Sequence, residues 1–382
     1  MVDATVDKKQ VLQLAREIAR DRLAPHAAEI DQNLGFPTEG LRHLAQSGLM
    51  GLIVPPPFGG AGADTVSFIG VTEEIARACA NTALVYVTHL TACMGILVGG
   101  KDGVKRTLLP ALARGEKLGA FAATESGCGA NVLFLQTTAR RADHGPYRVT
   151  GSKAFITSGG QADVYLVAVR TGNAPGPAGL SLLLVEKGAP GFTVGRKDRR
   201  LGINGTSSSE LFFEDCQVGP DNLLGQEGGY MAVGMPMVGL ALLGAAAIAV
   251  GIAQASLEAS IEHAKSRKVN GQPIGGFQGV QFLVSEMSVQ IEAARSLLQK
   301  AAEARDRGPS PVPLLPFQAK LFATEMAIDV TNKALQVHGG QGYTKELPVE
   351  RYFRDARGLT LHFTPSEMLK EALGKMLLGM FP

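Results

Sequence analysis

The sequence predicts an α+β fold in three parts: helices, a β unit, then helices again. Three observations carry that prediction. Apolar residues recur at helical spacing up to about residue 118 and again after Gly225. Between about 119 and 222, short runs rich in Val, Ile, Phe and Thr alternate with Gly, Asn and Pro. No G-x-G-x-x-G follows a predicted strand and no G-x-x-x-x-G-K-[ST] occurs, which supports neither a Rossmann unit nor a P-loop. This order is a composition of domains rather than a doubly wound sheet, with an N-terminal helical domain over 1–118, a β domain over 119–228 and a C-terminal helical bundle over 229–382.

In the first part, Val11, Leu14, Ala15 and Ile18 fall at i, i+3, i+4 and i+7, one apolar face of a helix. The prolines and glycines of VPPPFGGAGAD (54–64) force a loop. Helical texture returns over Val66–Ala80 and Thr88–Val98, with Asn81 and Thr82 between them as a cap. The β unit reads as YRVTGSKAFITSGG, VYLVAVR, LSLLLVEK, FTVG and SELFFE, an antiparallel sheet or small barrel. TGNAPGPAG (171–179) is a surface loop between two of these strands.

After Gly225, Val280, Val284, Met287, Ile291, Ala294, Leu298 and Ala301 step by four and three alternately, a seam of helix against helix. It suits a subunit interface and an internal bundle equally. RGPSPVPLLP (307–316) breaks the run and Phe317–Gln336 is the next helix. Val238–Ala255 is apolar apart from Gly and Gln254, long enough to suggest a membrane span. Its Ala/Gly-rich texture, the lack of an aromatic belt and its continuation into IEHAKSRK point instead to a helix buried in a bundle, with no membrane.

The charge balance, 37 basic against 35 acidic residues, leaves no electrostatic footprint for nucleic acid. The one basic cluster, Arg196-Lys197 with Arg199-Arg200, is expected as a solvated turn. Cys79, Cys93, Cys128 and Cys216 show neither C-x-x-C spacing nor a disulfide framework, which fits a reducing, cytoplasmic setting and no metal centre. The N-terminus shows no apolar secretory segment.

Four separated stretches resemble the acyl-CoA dehydrogenase family over essentially the whole chain. FAATESGCGAN (121–131) is similar to the family's Thr/Ser-Glu-Pro-x-x-Gly-Ser-Asp loop over the flavin. AFITSGGQADVYLVAVR (154–170) resembles its Trp-Ile-Thr strand. RRLGINGTSSSELFFEDCQVGPDNLLGQEGGY (199–230) resembles the end of its β domain, and QVHGGQGYTKELPVERYFRDAR (336–357) its adenosine and pyrophosphate segment. The resemblance implies FAD as cofactor. Its expected contacts are Phe121, Ala123 and Thr124, then Phe155, Ile156 and Thr157 at the ring, and Gln336, Gly339 and Gly340 at the pyrophosphate. Backbone N–H groups of a glycine turn and an arginine suit a pyrophosphate. The family takes that arginine from a neighbouring subunit's Arg-x-x-Phe-Gly; here it is Arg267, in Arg-Lys-Val-Asn-Gly, with Gln278 following. Ser366 and Glu367 match further positions near the cofactor. A shared site implies a homodimer at minimum and typically a homotetramer. The implied substrate is an acyl-CoA or other acyl thioester, with an electron-transfer flavoprotein as candidate redox partner.

The chain departs from the family where proton abstraction is expected. In the family's Ile-Tyr-Glu-Gly-Thr-Ser-Glu segment, this chain reads Leu361-His362-Phe363-Thr364-Pro365-Ser366-Glu367, with Phe363 at the usual base. The alternative carboxylate site, beside a substrate-binding Asp and Arg in the first core helix of the last domain, falls on Gly239, Ala241 and Leu242. Of the implied substrate-binding positions, Ala130 replaces a Ser, and Leu240, Ala241 and Leu242 bring no charge. Losing a positioned base removes about 10²–10⁴-fold in rate, so another group must serve if the reaction is to run at family rates. His362 and His89 are the candidates, since imidazole suits proton transfer near neutral pH. Three readings follow: an acyl thioester dehydrogenase with a non-standard base, a flavin monooxygenase or oxidase using His89 and His362, and a degenerate member serving as partner subunit or non-redox enzyme.

Overall fold

Asp7 caps the first helix: its carboxylate accepts the amides of Lys9 (2.9 Å) and Gln10 (3.4 Å), which have no partner inside the first turn. The computed structural model describes residues 7–141, 145–308 and 314–380. Helix α1 (Lys8–Ile18) buries Ala15 and Ile18 and half-buries Val11, while Leu14 stays exposed. Short α2 (Ala27–Gln32) and α3 (Thr38–Gln46) lead into α4 (Thr65–Ala78), α5 (Ala80–Gly99) and α6 (Asp102–Ala113). Asp64 caps α4 through the Ser67 amide at 2.9 Å. Asn81 and Thr82 are not a cap. Helix α5 begins one residue earlier and buries both, because the Asn81 side chain is needed inside, accepting the Gly205 amide at 2.6 Å.

The β unit forms one eight-stranded sheet from β1 (Gly119–Ala122), β2 (Thr138–Arg141), β3 (Tyr147–Ile156), β4 (Val164–Arg170), β5 (Leu180–Glu186), β6 (Phe192–Lys197), β7 (Ser209–Val218) and β8 (Leu223–Leu224). The pairing path runs β6-β7-β3-β2-β4-β5-β8, with β1 added on β4. All pairs are antiparallel except β1–β4 and the single β2–β4 pair. Strands β4 and β5 are buried almost throughout, so both read as continuous apolar runs rather than alternating ones.

Helix α7 (Tyr230–Ser266) is the axis of the remaining bundle, packed on α4, α5, α8 (Gln278–Asp306), α9 (Leu314–His338) and α10 (Val349–Leu359). Its Ala/Gly texture has a packing cause: a Cβ on Gly251 would meet the Glu73 carbonyl oxygen of α4 at 2.5 Å. Helices α5 and α7 are long and apolar enough to cross a membrane, but their apolar windows are 78% and 83% buried inside the molecule. The four-three seam of α8 buries Met287, Ile291, Ala294, Leu298 and Ala301 against its own chain. A two-stranded turn, β9 (Lys268–Val269) with β10 (Gln272–Pro273), joins α7 to α8. The expected break at 307–316 lies largely outside the described residues, with α8 ending at Asp306 and α9 opening at Leu314. The final helix is α11 (Ser366–Leu377).

Candidate active site

The loop after β1 is fixed by a buried charge. Glu125 Oε1 accepts Lys153 Nζ at 2.7 Å and the Thr137 amide at 2.9 Å, and Oε2 accepts the Gln136 amide at 2.6 Å. Burial acts to raise the Glu125 carboxyl, but the Lys153 charge and the two amides outweigh it and hold it below the ordinary range. Burial pushes Lys153 down against the pull of Glu125. The pair brings half-buried Ala123 and Thr124 against β3, where the Ala154 amide donates to Thr124 O at 2.8 Å. There the backbone turns: Phe155 takes a left-handed φ of 57° and leaves its ring 66% exposed, while Ile156 and Thr157 point inward. The loop carrying Ala123 and Thr124, which follows Phe121 of β1, therefore lies beside the end of β3, where Phe155, Ile156 and Thr157 follow.

A second strained loop lies beneath them. Ile203 and Ser207 are also left-handed, a conformation a β-branched residue such as isoleucine holds only when neighbours compel it. The neighbours are specific. Ser158 N donates to Thr206 O, Ser207 Oγ donates to Gly159 O, and Ile203 N donates to Asp355 Oδ1 at 2.6 Å. Arg200 is not the solvated residue its cluster suggested. Its guanidinium turns inward to Thr206 Oγ1 (2.5 Å) and to the Ile203 carbonyl, because the left-handed loop leaves those acceptors to be satisfied. Arg196, Lys197 and Arg199 do stay at the surface. Asp355, fully enclosed, is pushed up to about 7 by burial, with the Ile203 amide opposing and Asp31 adding to the rise.

Through Asp355 this loop reaches the segment that carries the expected base position. Lys320 of α9 is completely buried, and its Nζ donates to Thr360 O (3.3 Å) and Thr364 O (2.7 Å). It thus clamps both ends of 360–364, although burial lowers its pKa to about 8. Within the clamp, Phe363 is left-handed and packs on a small apolar cluster of Leu242, Phe317, Leu369 and Leu373. Position 363 and Leu242, the last residue of the α7 site, thus share one apolar environment. Leu240 does not belong there; it turns into the main core, as the helical twist requires two residues from Leu242. Ala241 is buried as well, and Ala130 sits half-exposed on the loop after β1.

The histidines fare differently from expectation. His89 is not available to a substrate: it is wholly buried, its Nε2 donates to Met50 O (3.2 Å) and its Nδ1 accepts the Gly119 amide (3.1 Å). Burial lowers it to about 4, so it is a neutral brace between α5 and β1. His362 folds back over its own helix end, donating from Nδ1 to Gly358 O at 2.7 Å. Burial and then the Arg200 charge lower it to about 4, which leaves it unprotonated but a weak base. Ser366 opens α11 with its Oγ buried and unpartnered, and Glu367 faces outward.

The remaining predicted residues form a separate group. Arg267 and Gln278 flank the β9–β10 turn, exposed, and Gln336, Gly339 and Gly340 are exposed at the end of α9. Ala264, Ile274 and Val337 pack these two segments together, and His263 stacks on His338 with ring centres 4.3 Å apart. Among the described residues, α8 packs chiefly on α4, α7 and α9, and the glycine turn on α9 and α10. The two groups fit the two ends of a flavin dinucleotide. The first offers an exposed aromatic ring at a strained backbone position, while the orphaned Ser366 hydroxyl stands at the start of α11. The other offers an arginine beside a turn where Gly339 is left-handed and a Cβ on either glycine would meet nothing within 4 Å. Four residues that organise the site were missed by the sequence reading: Glu125, Lys153, Lys320 and Asp355. A signal existed for Lys320, since Phe317, Lys320, Thr324, Ala327, Thr331, Ala334 and His338 form one buried stripe of α9 with a charge in it.

Family models for the acyl-CoA dehydrogenase N-terminal, middle and C-terminal domains match residues 5–116, 120–216 and 235–378. The chain is 39% identical to an acyl-CoA dehydrogenase of Bacillus subtilis over 377 residues, 98% of this chain and 99% of that one. It is 38% identical to the short-chain specific acyl-CoA dehydrogenase of Clostridium acetobutylicum over 368 residues, 96% of each chain. The butyryl-CoA dehydrogenase structure from Megasphaera elsdenii superposes with a TM-score of 0.94 at 35% identity, covering 99% of this chain and 100% of that one.

Proposed function

The chain belongs to the acyl-CoA dehydrogenase family, FAD-dependent oxidoreductases of acyl-CoA, and from that premise we propose that it oxidises an acyl thioester without the usual carboxylate base. The observation that carries this reading is that neither place offers a carboxylate: Phe363 packs in one apolar cluster with Leu242, and α7 supplies only Gly239, Ala241 and Leu242 at the alternative site. FAD, when bound, supplies the two-electron acceptor for hydride leaving the β carbon. The chain's own part is to hold Phe121–Thr124 and Phe155–Thr157 together through Glu125 and Lys153, and to clamp 360–364 through Lys320. His362 is the nearest titratable side chain to the vacant position in sequence. With a pKa of about 4 it accepts a proton only against a steep gradient, so slow turnover is expected. Arg267, Gln278, Gln336, Gly339 and Gly340 complete the cofactor site of a second copy, which makes the working form a homodimer or homotetramer.

The oxygen-activating reading through His89 and His362 loses its first residue to the core. A degenerate, partner-subunit role is the second reading, favoured by the same apolar cluster. Anaerobic titration of the purified protein with acyl-CoAs of graded length separates them. Flavin absorbance bleached by one or more acyl-CoAs supports the dehydrogenase. Bound flavin bleached by none supports the degenerate role, and protein that neither purifies with nor takes up FAD contradicts both flavin readings.

A further inference from the structure

Arg305, near the end of α8, lays its guanidinium on α7. Nη2 donates to Pro236 O at 3.0 Å, and Nη1 lies 2.8 Å from where a Cβ on Gly239 would sit, so a side chain there would make the guanidinium shift. The group is half-buried, and burial lowers its pKa. A guanidinium carries five N–H donors and cannot shed its charge, so a poorly hydrated one calls for an anion. Among the described residues no carboxylate hydrogen-bonds to it. The adjacent acid, Asp306, is committed to the amides of Thr65 (2.8 Å) and Val66 (3.2 Å) at the start of α4. The residues that follow α8, PSPVP at 309–313, lie outside the described structure but contain no acid. Along α7, Val238 and Leu242 flank Gly239 and belong to the apolar cluster against which Phe363 packs. A cation at the rim of an apolar cluster suits a ligand with an apolar body and an anionic end.

We infer that Arg305 binds an anionic oxygen, carboxylate or phosphate, of the ligand whose acyl group lies by Leu242 and Phe363. This rests on the acyl thioester reading above. The oxygen comes either from the phosphates of the thioester's carrier or from a second carboxylate at the far end of the acyl group.

Calorimetric titration of FAD-loaded wild type, Arg305→Gln and Arg305→Lys with butyryl-CoA, S-butyryl pantetheine and glutaryl-CoA tests it. Arg305→Gln is expected to weaken binding about tenfold or more, as loss of a charged hydrogen bond does, with part retained in Arg305→Lys. If the carrier phosphates are read, both CoA esters weaken and the pantetheine ester, which has no phosphate, does not. If an acyl carboxylate is read, glutaryl-CoA alone weakens. Equal affinities in wild type and Arg305→Gln, or an equal loss for all three ligands, overturn the inference and leave the acyl thioester reading standing. Wild type that binds none of the three overturns both. Should Arg305→Gln fail to fold, Gly239→Ala, which displaces the guanidinium, must weaken the same ligands, and unchanged affinities there overturn the inference.

Discussion

Asp355 ties the left-handed loop at Ile203 to α10 through one carboxyl. It accepts the amide of left-handed Ile203 while burial raises it from the ordinary 3.8 to about 7. Because the folded value lies above the unfolded one, the folded chain holds a proton that the unfolded chain releases between about pH 4 and 7. Its stabilising share is complete below that window and is lost as pH rises through it. Asp355→Asn keeps an acceptor for Ile203 without the titration. The difference in urea unfolding free energy between wild type and Asp355→Asn is therefore expected to move against the wild type from pH 4.5 to 7, by up to roughly 1.4 kcal/mol per pH unit. A difference that stays constant with pH would remove the buried protonated carboxyl from the account. His89 and His362, buried neutral, act in the opposite sense toward acid, and the subtraction cancels them.

At the scale of elements, the Glu125–Lys153 pair joins the loop after β1 to β3 from inside the protein. Removing one partner strands a buried charge, so Lys153→Met is expected to cost about 3–5 kcal/mol in chemical denaturation and to loosen flavin binding. A cost below about 1 kcal/mol, typical of a surface pair, would show the tie to be dispensable. The elements themselves were legible in the sequence wherever periodicity was strong. The seam from Met287 to Ala301 is buried as its spacing demands, and the runs at 164–170 and 180–186 are central strands. What failed was local chemistry answering to distant partners. Asn81 has the residue type of a cap but serves Gly205, which lies 124 residues away, and Arg200 stands in a basic cluster but serves a loop strained by packing. His89 carries chemistry of the right kind in a place with no solvent. The candidate site could be read from the sequence as two sets of segments, but the buried charges that fix those segments could not, since a lysine in a helix or strand is ordinarily at the surface.

At the scale of the molecule, the function proposed above joins the two groups of candidate residues across two copies of the chain. Co-expression of Thr157→Arg with Arg267→Glu tests this. Mixed dimers, isolated through a different tag on each chain, then contain one site with both lesions and one with neither, and flavin content near half that of wild type is expected. If each chain built its own site, every mixed dimer would carry a lesion in each and bind none. The central claim, a flavin site whose base position is apolar, is tested most directly by anaerobic stopped-flow reduction of the bound flavin with butyryl-CoA. Wild type and Phe363→Glu are to be compared at equal flavin content. A carboxylate restored inside the clamp of Lys320 is predicted to speed reduction on the order of 10²-fold. Equal rates in the two proteins, or a wild type already faster than the variant, would contradict it.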